Sequence, residues 1–369
     1  MTSKQPPLRF GIVGAGVIGH VHAATIASLA PQAEVAFVAD EIAGRARKLA
    51  ADHGVAAGTS IAELLGRPDI GAVAICTPSG NHADLAVAAL DAGKHVVVEK
   101  PLDVTLDAAA RVAEAQRRSD RTVTVISQHR FDPSSRVVHD SIQEGLLGQL
   151  TSGAASIAWW RGQDYYDSGG WRGTIALDGG GAVINQGIHT VDLLLWLLGE
   201  AVEVFAWTGC LAHERIEVED TAVATIRFAT GALAAVHATT SAYPGLTARL
   251  QVHGTSGSAV IDDDRLTYFS AAPHDGGGRA GAIIAEAGRL LTAEPEPAAG
   301  ADPAALSGAH IEQYRDFLDA VARGRPPGVT VADATRTLAV VRALYESARS
   351  GRPAAVQPAG VATPEVPAG

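Results

Sequence analysis

The 369-residue sequence has few cysteines, no long apolar run and no excess of basic side chains. Its two cysteines, Cys76 and Cys210, match neither a CxxC pair nor a metal-ligand spacing, so we expect both to be small buried side chains in a reducing cytoplasm. The longest aliphatic run, Leu193 to Leu198, is far shorter than the ~20 residues of a membrane span. Because the first ten residues also lack the apolar stretch of a signal peptide, the sequence predicts a cytoplasmic protein with no membrane partner.

Acidic side chains outnumber basic ones, 40 against 29, which gives a net charge of −11. Proteins that bind nucleic acid concentrate Lys and Arg on one face, and no segment of this chain does so, which excludes nucleic acid as a partner. A hydrophobic fraction of 47% is typical of globular proteins. Since single cores rarely grow past ~250–300 residues, the length predicts two domains.

Residues 9–129 alternate short β-rich runs with helical segments rich in Ala, Leu and Arg. The β-rich runs are almost continuously apolar, as in a parallel sheet that helices cover on both faces. This order predicts a doubly wound α/β domain over residues 1–128. Its five predicted strands are RFGIVGA, EVAFVAD, GAVAICT, HVVVEK and TVTVISQ.

After residue 128 the pattern changes to one strong helix at 182–198 and then to strands that alternate apolar with polar residues. Such a period of two is typical of a sheet with one covered face. We expect an α+β domain over residues 129–352, with an open, mostly antiparallel sheet and helices on one face. Its predicted strands are TAVATIRF, ALAAVHATT, ARLQVHG and SAVIDDDRLTYF.

The remaining segments have simpler compositions. Residues 272–306 are rich in Ala, Gly and Pro and are expected to form a mobile excursion, whereas YRDFLDAVARG and VADATRTLAVVRALYESARSG predict amphipathic helices. Residues 353–369 are expected to be a disordered tail. The uncovered face of the second sheet would be a large apolar patch, so we expect a homodimer or homotetramer that pairs through it.

A glycine pattern follows the first predicted strand and opens the first helix. RFGIVGAGVIGH places Gly14, Gly16 and Gly19 as GxGxxG. In this motif the first glycine makes a tight turn, the second admits a pyrophosphate and the third allows close helix packing. The helix N-terminus, with Val17 and Ile18, then faces the phosphates. The sequence therefore predicts a dinucleotide site.

The next predicted strand ends at Asp40, 21 residues beyond Gly19, where a carboxylate can bind the adenine ribose hydroxyls. Asp40 should repel a 2′-phosphate, which favours NAD, although Arg45 could still reach such a phosphate. NADP is therefore the less favoured cofactor. His20 and His22 on the first helical turn are expected to face solvent.

Two further motifs, in this order, resemble the glucose-fructose oxidoreductase / inositol dehydrogenase (Gfo/Idh/MocA) family. CTPSGNHADLAVAALDAGKHVVVEKPLD carries Thr-Pro, Asn-His, Gly-Lys-His and Glu-Lys-Pro, and LDGGGAVINQGIHTVD carries a glycine run before a polar helix start. The resemblance covers about residues 8–352. It implies a Rossmann domain, then an open-sheet α+β domain, with the nicotinamide between them.

The resemblance also implies which residues contact the cofactor. Lys100 ends a buried strand at the carboxyl edge, where open α/β sheets bind ligands, so an ordinary surface lysine is the weaker interpretation. Pro101 is expected to follow through a special, cis peptide bond that aims the lysine inward. The implied cofactor contacts are Thr77, Pro78, Asn81, His82, Glu99, Lys100, Gln128, Trp171 and Arg172.

Asn185, His189 and Asp192 are spaced i, i+4, i+7, so one helical face should carry all three beside an apolar stripe that docks on the sheet. The polar face is expected to look toward Lys100 and the nicotinamide. Imidazole titrates near neutral pH, so His189 can take a hydroxyl proton as hydride leaves the same carbon. A histidine that merely crosslinks helices is the alternative. Asp192 is expected to support the structure or bind a substrate hydroxyl.

Asn185 departs from the family pattern, since many relatives place Asp there and asparagine cannot ionise. Either His189 and Lys100 share the proton transfer without that carboxylate, or the chemistry has drifted. We favour the first, with Asn185 bound to a substrate hydroxyl.

AWWRGQDYYDSGGWRGT holds three of the five Trp and two of the six Tyr residues. Aromatic faces stack on sugars, and arginines bind hydroxyls or an acidic group. A core cluster is the alternative, but the glycines and charges favour a loop over a substrate pocket, with Trp171 and Arg172 as its best pair. Here we expect substrate contacts from Trp160, Tyr166 and Arg172.

These features predict an NAD(P)-dependent oxidoreductase that moves hydride between nicotinamide and a secondary hydroxyl of a sugar, glycoside, nucleotide sugar or inositol. No metal is expected. Two alternatives stay open: a glycosidase-type enzyme that oxidises transiently without net NADH, and a non-catalytic sugar or dinucleotide sensor. Lys100 and His189 are the predicted catalytic residues, and the predicted substrate contacts are Lys100, Trp160, Tyr166, Arg172, Asn185, His189 and Asp192.

Overall fold

The computed structural model describes residues 6–272, 277–293 and 308–357. These residues form two compact units. The first contains residues 6–128 and 308–335, and the second contains residues 129–272, 277–293 and 336–357. The sequence analysis assigns 308–335 to the second domain, whereas they pack with the first.

The first unit is built on a six-stranded, all-parallel sheet with strand order β3-β2-β1-β4-β5-β6. This is the Rossmann order. Its strands are β1 Leu8–Val13, β2 Ala33–Ala39, β3 Ala56–Gly58, β4 Ala72–Ile75, β5 His95–Val98 and β6 Val123–Val125. Its first five helices are α1 Val17–Ser28, α2 Ala43–His53, α3 Ile61–Leu65, α4 His82–Asp91 and α5 Leu106–Ser119.

All five strands predicted for this unit are present. The central strand β4 is buried along its whole length, as expected for a sheet covered on both faces. The sequence analysis missed only β3, whose Ala-Ala-Gly sequence at the sheet edge is too short and too small to produce an apolar run.

The second unit is built on an eight-stranded sheet with strand order β13-β12-β11-β7-β10-β9-β8-β14. All neighbours are antiparallel except β7 and β10. The strands are β7 Leu150–Ala158, β8 Ala201–Gly209, β9 Thr221–Phe228, β10 Leu233–Thr239, β11 Ala248–Gly254, β12 Gly257–Asp262, β13 Arg265–Ala271 and β14 Ala354–Ala355. The helices are α6 Pro133–Gln143, α7 Gln163–Asp167, α8 Ile188–Leu198 and α9 Gly278–Thr292.

One face of the second sheet is covered. Helix α8 packs so closely on β7 and β11 that a Cβ atom at Gly153 would lie 2.8 Å from Leu198 and 3.0 Å from Leu194. The opposite face exposes Trp207, Val223 and Leu233. The predicted alternation in β9 is therefore confirmed.

Two further helices precede β14. Helix α10, Gly308–Arg323, belongs to the first unit, because Tyr314 and Phe317 pack their rings 5.8 and 6.1 Å from that of Phe10. Helix α11, Val331–Ser350, follows. Local periodicity gives a helix but not the sheet on which it packs, which explains the misassigned domain.

Three expectations need correction. Helix α9 occupies part of the predicted excursion and packs on α6 and β13, while residues 273–276 and 294–307 lie outside the described residues. In the predicted tail, Ala354 and Ala355 pair with β8, and residues 358–369 lie outside the described residues. Cys210 is exposed, whereas Cys76 is buried. No helix in the described ranges is long and apolar enough to cross a membrane.

Candidate functional site

The three motif glycines have distinct surroundings in the first unit. Gly14 has φ +96°, and a Cβ atom there would lie 2.5 Å from the carbonyl oxygen of Cys76. A Cβ atom at Gly19 would lie 2.1 Å from the carbonyl oxygen of Gly14. By contrast, nothing lies within 4 Å of a Cβ atom at Gly16. The first and third glycines are thus needed for packing, whereas the second leaves room for a ligand.

The N-terminus of α1 lies next to this space. The helix starts at Val17, Ile18 follows within its first turn, no side chain caps it and no acidic residue lies in that turn. Its amide groups therefore suit an anion. Asp40 is fixed at the end of β2, where its oxygens accept hydrogen bonds from Ala15 N at 2.7 Å and Ile42 N at 2.8 Å. Val17 and Ile42, which are 54% and 52% exposed, add apolar surface. These residues fit a dinucleotide.

The loop after β4 lies at the same carboxyl edge of the sheet. Thr77 Oγ1 is buried and has no hydrogen-bond partner among the described residues. His82 is buried, with Nδ1 2.7 Å from Pro101 O and Nε2 2.9 Å from Thr77 O. Both of its ring nitrogens are therefore engaged by the backbone. Pro78 is half-buried, Asn81 is exposed, and Gln128 is buried in the turn after β6.

Glu99 and Lys100 follow β5. Glu99 Oε1 lies 2.8 Å from His22 Nε2, and its Oε2 accepts a hydrogen bond from Lys100 N at 3.1 Å. His22 Nδ1 lies 2.6 Å from the hydroxyl of Tyr314. Burial raises the pKa of Glu99, but the hydrogen bond and charge of His22 outweigh this and lower it to about 2. The expectation that His22 faces solvent is wrong, and Glu99 is held inside the unit. The Lys100–Pro101 peptide is cis, as predicted.

In the second unit, the glycine run precedes a short π-helix over residues 182–187 that leads into α8. Buried Glu219 accepts hydrogen bonds from Gly181 N, Val183 N and the hydroxyl of Tyr345 at 2.9 to 3.0 Å. A Cβ atom at Gly181 would lie 1.7 Å from the carbonyl oxygen of Glu219. Close packing therefore requires glycine here. Burial raises the pKa of Glu219.

The π-helix interrupts the predicted continuous α-helical face. Asn185 Nδ2 donates to Asp178 Oδ1 at 2.5 Å. Asp192 is buried and accepts two bonds of 2.7 Å from Arg130 and one of 2.9 Å from Thr337. Of its two expected roles, this geometry favours the structural one, because both carboxylate oxygens are used inside the unit.

His189 is half-buried on α8, and its ring meets that of His129 edge-on with centroids 5.1 Å apart. His129 Nδ1 lies 2.9 Å from Asp132 Oδ2 and 2.9 Å from Asp264 Oδ1. Burial lowers the pKa of His129, but the two carboxylates outweigh it and raise the pKa to about 10. The sequence analysis missed His129, although its place just after the last strand of a parallel sheet was a usable signal.

His129, Asp132 and Asp264 are also ligand-type residues whose ligand atoms lie within 4.8 Å of one another. The two 2.9 Å contacts of His129 Nδ1 are hydrogen-bond distances to carboxylates. A cationic ring, which the raised pKa of His129 indicates, accounts for both contacts, so the cluster is an ion pair.

The aromatic segment contains both predicted loop residues and packing residues. Tyr166 is buried, its hydroxyl lies 2.8 Å from Thr240 Oγ1, and its ring packs on His213. Here the alternative of a core cluster is correct. Trp160 is more exposed and lies edge-on to Tyr243.

Two arginines stack on Tyr165 in this segment. The guanidinium carbon of Arg172 lies 4.9 Å from the ring centre of Tyr165 and 4.6 Å from that of Trp171, and the carbon of Arg161 lies 5.3 Å from Tyr165. Arg161 also donates to Gln186 Oε1 at 3.0 Å. Within the described ranges neither arginine forms an ion pair, and the Nε atom of each is buried without a hydrogen-bond partner. Tyr165 and Gln186 were not predicted as site residues.

Comparison with known proteins matches both units. Residues 8–127 match the model of an oxidoreductase family with an NAD-binding Rossmann fold, and residues 135–260 match that of the GFO/IDH/MocA C-terminal domain. An inositol 2-dehydrogenase of Rhizobium meliloti is 30% identical over 278 residues, which are 73% of this chain and 80% of the relative.

Two further proteins are similar over nearly the whole chain. A levoglucosan dehydrogenase of Pseudarthrobacter phenanthrenivorans is 27% identical over 92% of this chain and 96% of its own. The crystal structure of the WlbA dehydrogenase of Bordetella pertussis, in complex with NADH and UDP-GlcNAcA, has 29% identity and a TM-score of 0.84, covering 96% of this chain and 99% of that one.

Proposed function

The chain belongs to the Gfo/Idh/MocA oxidoreductase family, and on that premise we propose that it transfers hydride between NAD and a secondary hydroxyl of a sugar, glycoside, nucleotide sugar or inositol. Its first unit is an NAD-binding Rossmann domain. When bound, NAD supplies the nicotinamide carbon that accepts or returns the hydride. The relatives include dehydrogenases named for an inositol and an anhydrosugar, which supports this range of substrates.

The observation that carries the proposal is the arrangement at one edge of the first sheet. The open space at Gly16, the uncapped N-terminus of α1 and Lys100 all follow carboxyl ends of parallel strands. Ligands of doubly wound sheets bind at this edge. A lysine ammonium there can hydrogen-bond the oxygen of the reacting carbon and stabilise the negative charge that develops on it.

His189 accepts the hydroxyl proton as the carbon loses hydride, and returns it in the reverse direction. Asn185 lies four residues earlier and is fixed by Asp178, so it is suited to bind a substrate hydroxyl. Trp160 and Arg172 supply an aromatic surface and a cation for the sugar. Tyr166 and Asp192 are omitted from this substrate set because their polar atoms are used in packing.

The test is NADH formation from NAD with a panel of inositols, free hexoses, anhydrosugars, aryl glycosides and nucleotide sugars. Replacement of Lys100 by Met should lower turnover by roughly 10²–10⁴, a typical acid–base contribution, with little change in NAD affinity. Near-normal turnover of that variant would contradict the role of Lys100. Glycoside cleavage without net NADH would support transient oxidation instead, and binding without any turnover would support a sensor.

We also propose that the protein is a homo-oligomer that pairs through the uncovered face of its second sheet. Trp207 is 64% exposed there and is the register partner of Val223 on the next strand. Leu233 is exposed on the strand beyond. Apolar side chains on neighbouring strands form a patch that a second copy can bury.

A further inference from the structure

His129 is a half-buried titratable group in ring contact with the candidate proton acceptor, His189, and the proposed reaction leaves it without a role. It lies in the turn that begins the second unit, and its side chain is 24% exposed. One ring nitrogen is shared between Asp132, at the start of α6, and Asp264, in the turn between β12 and β13. The ring meets His189 of α8 edge-on at 5.1 Å. The start of α6 and the turn between β12 and β13 therefore hold His129 against His189 on α8.

The charged groups around His129 together favour a positive charge on its ring. Both carboxylates favour a protonated ring, and Asp264, at 54% exposed, connects the cluster to solvent. Asp263 lies beside Asp264, and Arg136 on α6 lies near Asp132 and partly offsets it. The next residue, Arg130, is neutralised by its two bonds to Asp192 on α8. Of these surrounding groups, His129 itself is the cation in ring contact with His189.

We propose that His129 is a positioning residue for His189: held as a cation by Asp132 and Asp264, it orients the ring of His189 and opposes a second positive charge on it. His189 thereby stays in the neutral form that can accept a hydroxyl proton. This inference rests on the proposed function. It gives Asp132 and Asp264 a role as well, because they hold the charge on His129. The proposal also accounts for Asn185, which stands where many relatives have an aspartate. In this chain the carboxylates that influence His189 are Asp132 and Asp264, and they act through His129.

Two properties of the cluster support this role. The pKa of His129 is raised to about 10, so the ring carries its charge throughout the neutral range. Burial raises the pKa of Asp264, but cationic His129 outweighs it and holds that pKa low. The cation and at least one anion thus persist together at the pH at which a dehydrogenase works.

The test uses two variants with opposite expected effects. His129→Gln removes a positive charge, so His189 should gain its proton more easily and the acid limb of the kcat/KM profile should move to higher pH. Asp264→Asn removes a negative charge while Asp132 keeps His129 protonated, so the limb should move to lower pH. With the two rings 5.1 Å apart and an effective dielectric constant near 20, the His129→Gln shift should be about one pH unit or more, and the Asp264→Asn shift should have the opposite sign. Asn also tolerates the φ of +60° at residue 264.

His139→Gln is the matched control, because His139 is a half-buried histidine of the same unit that stacks on Trp196 outside the cluster. It should leave the acid limb within ~0.2 pH units, the reading error of such a profile. Shifts of the same sign in both test variants, or no shift in either, would overturn the inference. If His129→Gln does not fold, the direction of the Asp264→Asn shift decides.

A second readout is independent of activity. NMR titration of the histidine ring protons, with the His189 signal assigned by its loss in His189→Gln, should show the same opposite displacements in the NADH-bound protein. Absence of turnover with every substrate, combined with these displacements, would refute the proposed function and leave the charge relation intact. Unmoved His189 signals would refute the inference even in an active dehydrogenase.

Discussion

At the scale of single residues, buried histidines organise much of the polar interior. His22 joins Tyr314 to Glu99, His82 joins two backbone carbonyl groups, and His213 lies 3.0 Å from Asp220 and 2.8 Å from Arg161 O. Each of these rings uses both nitrogens. A buried polar group without such partners would cost about 1–3 kcal/mol, so these contacts are requirements of the fold.

Glu99→Gln should lower the stability of the fold, because it removes the charged partner of His22. Removal of one partner of a buried ion pair typically lowers the free energy of unfolding by about 3–5 kcal/mol. The pKa of Glu99 is about 2 in the folded state against an ordinary 4.5, so its stabilisation is present above pH 4.5 and is lost as the pH falls toward 2. Urea unfolding at several pH values should show a difference between variant and wild type that shrinks over this range.

Glu114→Gln is the control for this experiment, because Glu114 forms only surface ion pairs with Arg117 and Arg118. Its effect should stay within ~0.5 kcal/mol at every pH. A Glu99→Gln variant as stable as this control at pH 7 would contradict the buried pair.

The features that the sequence alone predicts best are those that local spacing fixes. Gly14, Gly16 and Asp40 lie where a motif with fixed spacing must place them. His22 and Tyr166 were misread, because helical or loop composition does not reveal a partner such as Tyr314, which lies 292 residues away. Residues that act through long-range contacts, His129 among them, need the fold before their neighbours are known.

At the scale of elements, the strand–loop–helix unit from β1 to α1 separates two kinds of glycine. Gly19→Ala should lower the melting temperature, since its Cβ atom would meet backbone at 2.1 Å and relief of such overpacking costs about 1–3 kcal/mol. Gly16→Ala should leave stability unchanged, since its Cβ atom meets nothing within 4 Å. The added methyl group should nevertheless weaken NADH binding about tenfold, or ~1.4 kcal/mol.

Thermal melts and NADH fluorescence titration check both glycine variants. Gly288→Ala is the reference, because it lies on α9 and its Cβ atom also meets open space. Unchanged NADH affinity in Gly16→Ala would show that the pyrophosphate does not approach this glycine.

Most strands and helices were predictable from the sequence, but the π-helix and strand β7 were not. The π-helix at residues 182–187 follows from the fit of Gly181 under Glu219, which is a tertiary contact. Strand β7, LTSGAASIA, is too rich in small residues to give a clear alternation, yet it lies in the middle of the second sheet. The small residues are explained by α8, which packs directly on Gly153.

At the scale of the whole molecule, the open face of the second sheet makes a prediction about assembly. Trp207→Glu or Val223→Glu should lower the mass measured by light scattering, because a buried carboxylate at a subunit interface is costly. Leu211→Glu should leave the mass unchanged, since Leu211 is exposed outside the strands of that face. A monomeric wild-type protein would refute the proposed homo-oligomer.

The return of α10 to the first sheet has a consequence for how the polypeptide is made. Tyr314 and Phe317, which pack on Phe10, are translated some three hundred codons after it. The nucleotide-binding lobe therefore cannot complete its interior until α10 has been translated. A nascent chain truncated near residue 128 would leave Phe10 without these two aromatic partners, and we expect chaperones to bind the apolar surface that this exposes.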